Sequence, residues 1–118
     1  GSGTSITTGT DVANWVIVPR AGKAVKIFIA AKTAPTGASL ILDIQKSTDG
    51  GGSFTSLWSS NPGNRPTLTA TSKTYSSTSF DTTSLAEGDL LRIDVVQTGS
   101  SIPGQDLNIS LLALLKNN

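Results

Sequence analysis

The chemistry open to this chain is narrowed first by two residue types it lacks, histidine and cysteine. Histidine is the side chain whose ordinary pKa lies nearest neutrality, and it is the commonest metal ligand. Without both types, Ser-His-Asp and Cys-His nucleophilic sites are excluded, and so is every ordinary zinc site. Disulfides are excluded as well, which leaves the redox compartment unread. What remains is a small set of carboxylates. Asp43 and Asp94, with Arg92, fall on the outward face of strand-like runs. Two carboxylates at a suitable separation could serve a glycosidase, or hold Ca²⁺ together with backbone carbonyls. A cross-strand ion pair on a solvated face, worth up to ~1 kcal/mol, asks less of them. That reading is adopted: the chain is expected not to be an enzyme, and no catalytic residue, metal ligand or cofactor is assigned.

The sharpest local motif is residues 47–54, STDGGGSF. It fits the S-x-D-x-G-x-S/T-W/F box of sialidases and other propellers. Its physics is that of a hairpin turn: Asp49 bonds turn amides, glycines take positive φ, and the aromatic residue plugs the base. Such a box is structural even in enzymes, and one copy in 118 residues cannot build a propeller.

Flat aromatic faces can stack on the apolar faces of sugar rings. Trp15, Trp58 and Tyr75 are the aromatic residues considered for this, and Trp58 lies near a loop carrying Asn61, Asn64 and Arg65. Trp58, Tyr75, Asn61 and Arg65 are therefore the candidate glycan-binding residues. The competing expectation is that a core of mostly aliphatic residues takes Trp58 and Trp15 inside, or into a subunit interface. Residues 111–115, LLALL, carry too many leucines for one face of a monomer. Leu111, Leu112, Leu114 and Leu115 are the candidate subunit interface, about a threefold or twofold axis. The alternative for them is a central strand buried on both sides.

The elements that must position these residues are strands. In residues 88–115, Leu91, Ile93 and Val95 alternate with Arg92 and Asp94, and Leu107, Ile109, Leu111 and Ala113 alternate with Asn108 and Ser110. Period-two alternation marks antiparallel strands with one face on a core. The two runs and their Pro-Gly loop read as a hairpin. Residues 24–46 read as a second hairpin, with Val25, Ile27 and Ile29 on one face and Leu40, Leu42 and Ile44 inward, joined by an APTG turn. Residues 12–18 read as a first strand closed by Pro19, residues 54–59 as a fourth, and residues 67–70 as a short edge strand. Residues 71–80 carry Tyr75 and Phe80 as anchors. Residues 81–88 read as a connection with one capped helical turn.

These seven to nine short strands without an ordinary helix define the expected fold class. It is all-β, an antiparallel two-sheet sandwich, jelly-roll-like. Residues 1–11 are expected to be a flexible lead-in, with Gly1-Ser2-Gly3 a linker or expression scar, and residues 12–118 a single domain. The chain lacks Met and reads as a piece of something longer.

Hydrophobic residues make up 36% and charged residues only 14%, which with abundant Ser and Thr suits a β-rich extracellular or virion-surface protein. The net charge of +1 comes without a basic block, so nothing points to nucleic acid. No apolar stretch reaches the roughly 18 residues of a membrane span.

Ala34-Pro35-Thr36-Gly37, then Arg65-Pro66-Thr67, then Gly88-Asp89 through Asp106-Leu107 carry a further signal. Their order and spacing resemble the β-sandwich domain of tail-fibre, head-fibre and similar virion-surface proteins of tailed bacteriophages. The likeness covers residues 23–112. It implies a virion structural protein at the particle surface, commonly a homo-oligomer, with capsid or tail proteins as partners. It implies no catalytic site. A carbohydrate-binding module for host-surface polysaccharide is the alternative expectation.

Overall fold

The computed structural model describes residues 5–12 and 15–115. Among these, nine strands form two antiparallel sheets that pack face to face: β1 (Val16–Ile17), β2 (Gly22–Thr33), β3 (Leu40–Ser47), β4 (Thr55–Ser56), β5 (Thr67–Leu68), β6 (Thr74–Ser77), β7 (Ser84–Leu85), β8 (Leu90–Gln97) and β9 (Gln105–Leu115). One sheet runs β1-β8-β3, with β4 and β5 both on the far edge of β3; the other has β2 at its centre, β9 on one side and β6 and β7 on the other. The fold is thus the expected all-β two-sheet sandwich.

The expected hairpins are absent, because each pair of runs splits between the sheets. β2 pairs with β9, from Gly22 opposite Leu115 to Thr33 opposite Gln105. β3 pairs with β8, from Ile41 opposite Gln97 to Ser47 opposite Leu90. The segments between β2 and β3 and between β8 and β9 are therefore arches that cross from one sheet to the other. They pack on each other: the Thr36 amide donates to Ile102 O at 2.9 Å and the Ser101 amide to Thr36 O at 3.0 Å. The two loops thus meet at one end of the sandwich.

Alternation did predict which side chains face the core. Ile27, Ile29 and Ala31 from β2 meet Leu40, Leu42 and Ile44 from β3 and Leu91 and Val95 from β8, all buried. Each such aliphatic side chain contributes on the order of 1.5–3 kcal/mol on burial. Val25 is the exception. The register shifts between Ala24 and Lys26, so Ala24 turns inward and Val25 lies exposed, the effect of one extra residue in a bulge. A second shift opposite Ile41 and Leu42 leaves Val96 exposed.

Three further expectations change. Residues 81–88 hold no helical turn; they form β7 and a turn in which the Ala86 amide donates to Asp89 Oδ2 at 2.8 Å. The one helical turn among the described residues is the 3-10 turn Pro62–Asn64. Among the described residues of 12–18 only Val16–Ile17 pair as a strand, with β8, and both are exposed; residues 13–14 lie outside the described residues. Residues 1–4 of the expected lead-in lie outside the described residues, but residues 5–12 run along the sandwich. Ile6 is buried and its amide donates to Gly104 O at 3.0 Å, while Gly9 and Val95 exchange backbone hydrogen bonds of 3.0 and 2.8 Å.

Candidate functional site

The carboxylates are the side chains with the most chemistry open to them. β3 and β8 set Asp43 and Asp94 directly opposite each other on the outward face, where Gln45 stands opposite Arg92. Both aspartates are buried. Asp43 accepts from Ser56 Oγ at 2.6 Å and Gln45 Nε2 at 3.1 Å. Asp94 accepts from Arg92 Nε and Nη2, both at 3.0 Å, and from the Asp11 amide at 2.9 Å. The ion pair is thus between residues of one strand, not across strands as the sequence suggested. No group of three acidic side chains stands close enough to hold a metal ion among the described residues.

The box at residues 47–53 is a closed turn. The Asp49 carboxylate accepts from Ser47 Oγ (2.7 Å), the Ser53 amide (2.9 Å) and Ser53 Oγ (2.8 Å), and these bonds hold its pKa down at about 2. Gly51, at φ +97°, lies under the Trp15 ring, where a Cβ would come within 2.8 Å of the indole. Trp15 packs on Phe54, ring centroids 5.3 Å apart, and the Arg92 guanidinium lies 4.5 Å from the Phe54 centroid. Trp15 is nonetheless 43% exposed, so it is not a core residue.

The four candidate glycan residues do not form a platform. Trp58 is buried: its ring stacks on Phe80 with centroids 5.3 Å apart, and its Nε1–H donates to Ser79 O at 2.6 Å. No ring face is left for a sugar. Tyr75 stands opposite Ile29 on the core side of its sheet and packs against the core. Asn61 gives its backbone and side-chain amides to Asp81, which lowers the Asp81 pKa. Arg65 Nε donates to Pro62 O at 2.9 Å, within its own loop. The short β4 turns the chain so that Leu57 and Trp58 are both buried, where strand alternation would have put one outside.

The apolar run at residues 111–115 lies on β9, along one side of its sheet. β9 has β2 on one side only, and among the described residues nothing pairs with its outer edge along residues 110–115. Leu112 is 52% exposed, Leu114 69% and Leu115 39%, while Leu111 packs against the core. Beside this edge the sandwich opens into an apolar groove of about 480 Å³. Leu111, Ala113 and Leu115 form one wall and Val16, Ile17 and Leu91 the other. The unbroken apolar run Val16-Ile17-Val18 was the available signal for this second wall.

A second surface was not foreseen. Phe28 lies 42% exposed on the outer face of β2, flanked in register by Ser76 on β6 and Ser110 on β9. Thr74 and Asn108 flank Ala30 in the same way, and these residues line a trough of about 630 Å³. Lys26 Nζ sits 5.0 Å from the Phe28 ring centroid.

No family model, curated protein or solved structure matches the chain. Among the described residues no helix is long and apolar enough to cross a membrane.

Proposed function

We propose that the chain is a non-enzymatic structural module of a bacteriophage virion, a capsid decoration or fibre domain that works through contacts with copies of itself and with neighbouring particle proteins. The observation that carries this is the open edge of β9. Natural sheets guard their edges with lysine, proline or a cover. Residues 107–115, LNISLLALL, contain neither a charge nor a proline, and three of their leucines are exposed. An edge so apolar suits a protein that is covered by another chain. The likeness of the APTG, RPT and closing loop segments to phage β-sandwich domains supplies the setting. The test is the mass of the protein in solution together with its co-sedimentation with purified particles. Self-association or particle binding is expected; a strict monomer that ignores particles overturns the proposal.

Attachment to host-surface glycan is the second reading, and the trough around Phe28 is the observation that favours it. An exposed ring flanked by small hydroxyl and amide side chains offers a stacking floor with hydrogen-bonding walls. Binding to a glycan array that Phe28→Ala abolishes supports it, and an array without a hit removes it.

A further inference from the structure

We infer that the outer edge of β9 is completed by β9 of a second copy, antiparallel, about a twofold axis at Ala113. This rests on the reading of the chain as one that works by self-association, and it specifies the partner strand and the register.

Among the described residues, the chain itself covers only the start of the edge. Ser5 bridges Gln105, and the Ile6 amide donates to Gly104 O. Further along, the register alternates the residues between the two faces. Ser110, Leu112 and Leu114 stand on the outer face, opposite Phe28, Lys26 and Lys23 of β2; Leu111 and Ala113 stand on the groove side, opposite the buried Ile27 and Ala24. A twofold axis perpendicular to the sheet keeps each face on its own side, so it pairs residues of like parity.

Few registers are then available, and they differ in what they place together. With the axis at Leu111, Leu112 meets Ser110 and Leu114 meets Asn108. With the axis at Leu112, Leu114 meets Ser110. With the axis at Ala113, Leu112 meets Leu114 of the second copy on the outer face, and Leu111 meets Leu115 on the groove side. Only this last register gives every exposed leucine a leucine. Directly opposed side chains are the unit of sheet stabilisation.

Along residues 107–115 the edge strand places no charge of its own in the way of a second copy. A twofold axis sets residues beside their own equivalents, so any charge near it meets its like. Residues 107–115 carry none. Lys26 and Lys23 stand one strand inside the edge, opposite Leu112 and Leu114. Strand pairing alone buries little surface. The exposed Val16 and Ile17 across the groove widen the patch towards the ~1,000 Å² expected of a specific interface.

The chain has no cysteine, so an introduced thiol reports cleanly. Leu112→Cys and Leu114→Cys are oxidised separately and as an equilibrated mixture. Directly opposed Cβ atoms lie about 4.5–5.5 Å apart and diagonal neighbours about 7–8 Å, against the ~3.5–4.5 Å of a disulfide. The mixture is expected to give several-fold more covalent dimer than either variant alone. Leu114→Lys, at an exposed position, should keep the circular dichroism of the parent and halve its mass by sedimentation equilibrium. If the parent associates but the mixture shows no excess, or Leu112→Cys alone gives the most dimer, the register is wrong and self-association stands. If the parent is monomeric at every concentration, both fall.

Discussion

Asp43 and Asp94 face each other in direct register across β3 and β8, both buried. Like charges so placed repel. What offsets the repulsion is on the same strand as Asp94: the Arg92 guanidinium grips both Asp94 oxygens at 3.0 Å and lies over Phe54. Neutral donors, Ser56 and Gln45, take up Asp43. Ser56 ties Asp43 to β4 and the Asp11 amide ties Asp94 to the N-terminal segment, so the cluster acts as a clasp on the outer face of this sheet.

Removing the cation should therefore cost more than removing one of the carboxylates. Arg92→Leu leaves two opposed carboxylates without it and is expected to lower stability by about 2–3 kcal/mol, below the range for a fully buried pair because Arg92 is partly exposed. Adding Asp43→Asn to that variant should restore part of the loss. Urea unfolding of the single and double variants measures both. A neutral Arg92→Leu would mean that the arginine is not what balances the pair.

The two tryptophans should behave oppositely. Trp58→Ala empties a fully enclosed site that stacks on Phe80 and should cost about 3–5 kcal/mol in urea. Trp15→Ala removes a ring already 43% exposed, and about 1 kcal/mol or less is expected. In the native protein, acrylamide should quench Trp15 and spare Trp58. Equal quenching of the two would contradict the burial of Trp58.

Which residues face the core was legible in the sequence because strand periodicity is a local property. Ile27, Leu42, Ile44 and Leu91 could be placed without knowing their neighbours. Which strand pairs with which was not legible. The loops at residues 34–39 and 98–104 are long enough to close a hairpin or to cross between sheets, and alternation is the same in either case. Val25 was misplaced because a bulge shifts the face by one residue and leaves no mark in composition. For Trp58 the expected core position, not the glycan platform, is what the structure shows; that Leu57 is buried beside it was not legible, because β4 ends at Ser56 and the chain there leaves strand geometry. The run of leucines left a subunit contact and a central buried strand equally open, because composition does not say whether a strand has one neighbour or two; the structure gives β9 one strand partner, β2, among the described residues.

Asp49 gives the fold an acid-side pH dependence. Its hydrogen bonds from Ser47 and Ser53 lower its pKa to about 2, from an ordinary 3.8. Between these values the unfolded chain takes up a proton that the folded chain refuses, so stability rises with pH across that window. The contribution is complete above about pH 4 and is lost as the pH falls through about 2. Asp81, lowered by its bonds from Asn61, acts in the same direction. Urea midpoints at several acid pH values should rise with pH in the parent, and less steeply in Asp49→Asn. Identical slopes would show that the turn bonds do not hold the carboxylate ionised.

The contact between the two arches explains why glycine stands at position 99, and it yields the most discriminating stability test. Gly99 is buried, and a Cβ there would run into the Ile102 carbonyl oxygen and come within 2.8 Å of the Thr36 amide nitrogen. Those two backbone groups are the donor and acceptor that join the arches at 2.9 Å. Backbone cannot move aside as a flexible side chain can. Gly99→Ala should therefore part the arches and cost about 2 kcal/mol or more. Gly63 is the control: a Cβ there meets nothing within 4 Å and φ is not positive, so Gly63→Ala should stay within about 0.5 kcal/mol of the parent. Thermal and urea unfolding of the two variants make the comparison, and amide exchange at Thr36 and Ser101 localises it. If Gly99→Ala is as stable as Gly63→Ala, with those amides still protected, the arches do not depend on this contact and position 99 needs another explanation.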